Sequence, residues 1–214
     1  MFEDRIDAGC QLAKALADLA ADNPIIYALP RGGLPVAAEV ARALHAPLEL
    51  MMVRKIGVPS QPEVAMGGIV DGDTPIIVLN EDIIESLNVP MSVVHARANL
   101  ELKEIKRRRA LYLGNRPELN VAGRTAIIVD DGIATGATAK AAIRALKQRR
   151  AKRIIVAVPV ATRTAIQDLE READEVRCLD VPDWFRGVGA FYQDFHQLKD
   201  HDVLVILEQF PKAA

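Results

Sequence analysis

Two adjacent carboxylates, Asp130 and Asp131, stand directly before a run of small and hydroxyl-bearing residues in the segment 125–142, TAIIVDDGIATGATAKAA. Neighbouring carboxylates repel each other, so the pair calls for a group that satisfies both: a cation, or a vicinal diol such as a ribose whose hydroxyls donate to them. Gly132-Ile133-Ala134-Thr135-Gly136-Ala137-Thr138 contains one large side chain, Ile133, which leaves its backbone N–H groups open to close approach by a ligand. A helix predicted to begin near Gly136 adds the positive end of its dipole to those donors. The segment describes a phosphate cradle beside a diol clamp, and a ribose 5-phosphate carries both groups.

These residues need a strand to present them. Residues 126–129, AIIV, form an apolar run without alternation, as expected of a strand buried on both faces in a parallel sheet. The acids then emerge at its carboxyl end, the edge at which open α/β sheets bind ligands. A second loop, Pro30-Arg31-Gly32-Gly33, follows a strand predicted at 25–29 and precedes a helix over 34–44 with Pro35 in its first turn, so it belongs to the same edge. Arg31 offers a planar set of donors that suits phosphate oxygens, and Gly32 and Gly33 permit a tight backbone turn. By itself Arg-Gly-Gly also reads as a turn carrying a solvated arginine.

Along the rest of the chain, strand and helix alternate. Helices are predicted over 6–21, 92–112 and 164–173, strands over 48–53, 76–79, 154–160 and 176–181, and a strand or helix over 203–207; residues 57–73, rich in Gly and Pro, read as a long loop or short hairpin. Strands separated by helices imply right-handed crossovers and a mainly parallel twisted sheet flanked by helices. One domain over residues 1–214 is expected, with a small hood built from the 57–73 loop, the 181–214 tail, or both.

Composition fits an ordinary enzyme-sized α/β unit: of 214 residues half are hydrophobic and 26% charged, and the formal net charge of −2 gives no global argument for nucleic acid. Met1 leads into Glu3-Asp4-Arg5 without a basic and then apolar leader, and no apolar run approaches the length of a membrane span, so a cytoplasmic protein with no membrane partner is expected. Cys10 and Cys178, and His45, His95, His196 and His201, lack metal-ligand spacing.

Spacing excludes the common nucleotide loops. Gly132 and Gly136 are separated by three residues and Lys140 follows four later, which is no Walker A loop, and no Gly-x-Gly-x-x-Gly follows a strand. The order of apolar run, two acids and a small loop ending in Thr-Gly-x-Thr resembles the phosphoribosyl diphosphate (PRPP) signature of type I phosphoribosyltransferases. The resemblance implies that fold, Mg2+ bound with PRPP, and transfer of 5-phosphoribosyl to a nucleobase-like nitrogen in nucleotide salvage, by a homodimer. It implies that Arg31, Gly32 and Gly33 hold pyrophosphate and that Gly132, Ile133, Ala134, Thr135, Gly136, Ala137 and Thr138 cradle the 5-phosphate.

Asp130 and Asp131 would orient the ribose hydroxyls. Arg54 and Lys55, predicted to end the strand over 48–53 at the carboxyl edge, resemble adenine-type members and would neutralise pyrophosphate; Glu63, in the following loop, is a candidate base. The tail, Val181-Pro182-Asp183-Trp184-Phe185 through Tyr192-Gln193-Asp194-Phe195, is similar to a segment of 6-oxopurine enzymes, which makes Asp183 a candidate metal ligand and Trp184 or Phe185 a candidate base stack. Helix capping by Asp183 and core packing of the aromatics are the alternatives. Ala134 departs from the 6-oxopurine signature, which has an acid there for proton transfer at the purine. A second functional reading is a PRPP- or nucleotide-binding regulator that meets RNA through Arg97, Lys103, Lys106, Arg107, Arg108 and Arg109, although Glu101 and Glu104 supply counter-charges.

Overall fold

The computed structural model describes residues 1–59, 61–72, 74–114 and 116–210, with only the backbone of Pro62 and Glu63. Helix α1 (Arg5–Ala15) and a 3-10 turn (Ala17–Asp22) lead to strand β1 (Ile25–Ala28), helix α2 (Gly33–Ala43) and strand β2 (Leu48–Leu50). Strands β3 (Val53–Val58), β4 (Gln61–Val70) and β5 (Ile76–Leu79) follow, then helices α3 (Glu81–Ser86) and α4 (Met91–Tyr112). The chain returns through β6 (Thr125–Val129), α5 (Ala137–Gln148), β7 (Arg153–Val160), α6 (Arg163–Glu170), β8 (Glu175–Asp180), a 3-10 turn (Val188–Phe191) and α7 (Asp200–Leu207).

The main sheet has the order β2-β1-β6-β7-β8 and is parallel throughout. Every residue of β1 and β6 is buried, which accounts for the lack of alternation in their sequences. One face packs Ile26, Ile127 and Val129 against Leu12, Leu34, Val40 and Val203 of α1, α2 and α7. The other packs Ala126, Ile128 and Val156 against Ile143 and Leu146 of α5 and Leu169 of α6. Each such Val, Leu or Ile side chain contributes about 1.5–3 kcal/mol by leaving water.

From β1 the chain moves outward to β2 and then returns to β6, beside β1 on its other side. The order therefore reverses between β1 and β6, and the crevice at their carboxyl ends is the topological switch point of the sheet.

Of the two readings of 57–73 the hairpin holds: residues 57–58 and 61–70 belong to paired antiparallel strands. Strands β3 and β4, with β5 beyond the segment, form the antiparallel sheet β3-β4-β5, whose Ile56, Val58, Met66 and Ile69 close a separate core with Val94, Ala98 and Ile105 of α4. Glycines at 57, 67 and 68 and the proline at 62 hide the alternation, and long-range packing supplies the order that local propensity does not. Arg54 and Lys55 are displaced for the same reason. Strand β2 stops at Leu50, and the two cations sit inside β3, paired with Ile69 and Gly68 of β4 rather than ending a core strand. Residues 203–207 are helical, and the predicted first helix ends as an α-helix at Ala15.

Among the described residues no helix is long and apolar enough to cross a membrane.

Candidate active site

The two loops named from the sequence meet at the switch point. Leu29 N–H donates to the Val129 carbonyl at 3.0 Å, which continues the β1–β6 ladder into both loops. Beyond it the backbones come so close that a β-carbon on Gly33 would stand 2.7 Å from the Val129 carbonyl oxygen and 2.8 Å from Asp130 Cα. One on Gly32 would meet the Asp131 carboxylate. The glycines are there because any side chain would separate the loops. The Pro30–Arg31 peptide is cis.

Asp131 is buried and tied on several sides. Arg5 Nε donates to its Oδ2 at 2.8 Å, and the Tyr192 hydroxyl donates to its carbonyl oxygen at 2.5 Å. Its own N–H donates to Asp130 Oδ1 at 2.9 Å. Loss of hydration, and then the charge of Asp131, raise the Asp130 carboxyl well above its ordinary range. Asp131 is raised by burial as well, but the hydrogen bond and charge of Arg5 oppose the shift. A pair of this kind is poised to take hydroxyl donors or a positive charge.

After the acids, Ile133 is fastened below Val160: its N–H donates to the Val160 carbonyl at 2.9 Å and its carbonyl accepts from Thr162 N–H at 3.1 Å. The Thr162 hydroxyl donates to the Ala134 carbonyl at 2.8 Å. With the loop's floor held, Ala134, Thr135, Ala137 and Thr138 are exposed. Gly136 adopts φ of 75° as it enters α5, a left-handed conformation that favours glycine. The hydroxyls and the amino end of α5 thus share one rim, an arrangement suited to an anion.

Arg31 lies across the crevice, with Nη1 3.5 Å from Asp200 Oδ1 of α7, and the same oxygen accepts from the Tyr112 hydroxyl at 2.5 Å. Arg54 is bound through Nε to Glu101 of α4 at 2.7 Å. With Lys55, Val58 and Arg97 these residues line a cavity of about 410 Å3 on the hood. The side chain of Glu63 lies outside the described residues. The Asp183 side chain is 86% exposed and 3.6 Å from Arg163. Among the described residues no group of three His, Cys, Asp or Glu side chains could hold a metal. Asp131 Oδ2 is committed to Arg5.

Trp184 is 86% exposed, whereas Phe185 stacks on Phe191 at 5.5 Å, and Tyr192 joins Phe2 and Phe195 in a buried cluster. In the basic stretch of α4, Arg107 and Arg108 both bind Glu104, and Arg109 binds Asp71. Sequence reasoning overlooked Arg5, Thr162 and the role of Tyr192. Arg5 is 126 residues from its partner, and no local pattern marks such a pairing.

A parallel sheet with a crevice at its switch point, rimmed by an acidic pair, a Thr-Gly-x-Thr turn and an Arg-Gly-Gly turn, defines a class. The chain belongs to the phosphoribosyl transferase domain family, whose model matches residues 5–196. It is 42% identical over 209 residues to Mycobacterium tuberculosis proteins named provisionally as phosphoribosyl transferases, an overlap of 98% of this chain and 47% of theirs. The chain therefore spans about half the length of the curated relatives it matches. It is also 40% identical to the protein TT1426 from Thermus thermophilus, whose crystal structure superposes with a TM-score of 0.88 over 98% of this chain and 99% of that one.

Proposed function

We propose that this protein moves the 5-phosphoribosyl group of PRPP, taken with Mg2+, onto a ring nitrogen of a nucleobase-like acceptor and releases pyrophosphate. The observation that carries this reading is the close apposition of Gly32 and Gly33 to Asp130 and Asp131 at the switch point. It leaves anion donors on both flanks of an acidic centre. Arg31 and the amides around Gly32 and Gly33 take the pyrophosphate. Thr135, Thr138 and the amides of 132–137 take the 5-phosphate at the amino end of α5.

Asp130 and Asp131 orient the ribose hydroxyls and favour positive charge at C1 as its bond to pyrophosphate breaks and the electron pair leaves with oxygen. The acceptor nitrogen then closes on C1 and releases its proton. Magnesium arriving with PRPP would neutralise charge on the leaving group. Arg54 and Lys55, as hood residues, are the cations expected at the pyrophosphate once the hood closes over it, and Glu63 on the next strand is the candidate base. Asp183 and its exposed neighbour Trp184 are candidates for the acceptor side. Nucleotide salvage in the cytoplasm by a homodimer is the setting this reading implies.

The test is a pyrophosphate-release assay with Mg2+, PRPP and a panel of purines and pyrimidines, with PRPP binding measured alongside. Release with at least one base is expected. Binding without release for every base would replace transfer with a regulatory role, and no binding would remove both.

A further inference from the structure

The amino-terminal strip and the carboxyl-terminal tail close on each other beneath the acidic loop. Phe2 N–H donates to the Phe191 carbonyl at 2.8 Å, Gln193 N–H to the Phe2 carbonyl at 2.9 Å, and Asp194 N–H to the Glu3 carbonyl at 2.9 Å. Asp4 caps α1 by accepting from Ile6 and Asp7 N–H, each at 2.8 Å, so Arg5 begins a fixed helix. Its guanidinium is oriented from three directions: Nε reaches Asp131 Oδ2 at 2.8 Å, Nη1 reaches the His196 carbonyl at 3.0 Å, and Cζ lies 3.8 Å above the Phe195 ring. Arg5 is almost wholly buried, as is its carboxylate partner. A planar cation fixed in this way allows Asp131 little choice of rotamer.

We propose that Arg5 is a positioning residue for ligand binding: it holds one oxygen of Asp131 so that the other faces the ribose. Arg5 itself touches no ligand and acts only through Asp131. The Tyr192 bond to the Asp131 carbonyl fixes the backbone of the same residue, so side chain and main chain are set from opposite termini of the domain. The assignment rests on the ribose-binding part of the proposed function but not on catalytic turnover.

The experiment is a double-mutant cycle read by calorimetric binding of ribose 5-phosphate and of Mg·PRPP to wild type, Arg5→Met, Asp131→Asn and the double variant. Arg5→Lys is included to retain the charge, and thermal denaturation is recorded for each. Loss of a charge-assisted hydrogen bond predicts that Arg5→Met weakens ribose 5-phosphate on the order of tenfold to a hundredfold, with partial recovery in Arg5→Lys. In the Asp131→Asn background the Arg5→Met change should cost little more, because the amide that Arg5 still holds no longer presents a charge to the ribose. Additive losses, unchanged affinity in Arg5→Met, or no binding of ribose 5-phosphate by wild type would each overturn the assignment. A non-additive cycle together with no pyrophosphate release for any base would sink the transferase reading and leave Arg5 in place.

Discussion

Gly32 stands so close to Asp131 that a β-carbon built on it would be 2.0 Å from the carboxylate oxygen Oδ2. That oxygen is the one Arg5 holds. A turn near the start of the chain, a carboxylate in its middle and a helix at the amino terminus therefore share a single point in space, and each constrains what the others can be.

The first consequence concerns Gly32→Ala. The added methyl must displace either the turn or the Asp131–Arg5 pair, and overpacking of this kind costs about 1–3 kcal/mol. We expect weaker Mg·PRPP binding by roughly tenfold or more, since that energy falls on the ligand crevice. Calorimetry on the purified variant checks it, and unchanged affinity would show that the loops separate without penalty.

Asp131 should matter to chemistry more than its neighbours do. Asp131→Asn keeps an acceptor for Arg5 but removes the charge facing C1, and kcat/KM for PRPP is expected to fall at least about 100-fold. Asp131→Ala is a poorer test, because a buried arginine left without its partner costs about 3–5 kcal/mol of stability. Wild-type turnover by Asp131→Asn would dismiss the acidic clamp.

In β2, burial raises Glu49 to about 7 despite Arg116, whose Nη2 lies 3.6 Å from Glu49 Oε1. A raised carboxyl is protonated in the folded state where the unfolded chain has already released the proton. Stability therefore falls as pH rises from the ordinary glutamate range to about 7, by at most roughly 3 kcal/mol. Urea denaturation between pH 5 and 8 should show this decline, shallower in Glu49→Gln. Parallel slopes for the two proteins would assign the decline to other groups, Asp71 first, since burial raises it to about 6.

Asp71 ties the hood to the core. Its carboxylate accepts from Met52 N–H at 2.8 Å and from Arg109 of α4 at 3.0 Å, and its carbonyl accepts from Arg149 at the end of α5. Arg109→Met strands a buried carboxylate, and we expect a loss of about 2–4 kcal/mol, reduced from the full buried-pair cost because Arg109 keeps some exposure. Amide exchange in β3 and β4 should accelerate together. If only α4 exchanges faster, the hood is anchored elsewhere.

What could be read in the chain and what could not divide along a physical line. Residues 125–138 and 29–35 were legible because burial on both faces, small-residue loops and helix starts are written over a few consecutive positions. The parallel sheet followed from the alternation of elements, and the family from the order of residues in the acidic loop. A hood over 57–73 was expected, as a loop or short hairpin, but its pairing with β5 was not legible, because Gly and Pro interrupt the alternation and α4 supplies the order from outside the segment. Arg54 and Lys55 were misplaced by the same loss of a boundary. The strand order that makes the crevice, the steric demand of Asp131 on Gly32, and the bond from Arg5 all join residues about 20 to 130 positions apart. Local sequence determined which residues carry the chemistry. Only the tertiary structure decided which of them meet, because such contacts are set by the packing of whole elements and leave no periodic trace in the chain.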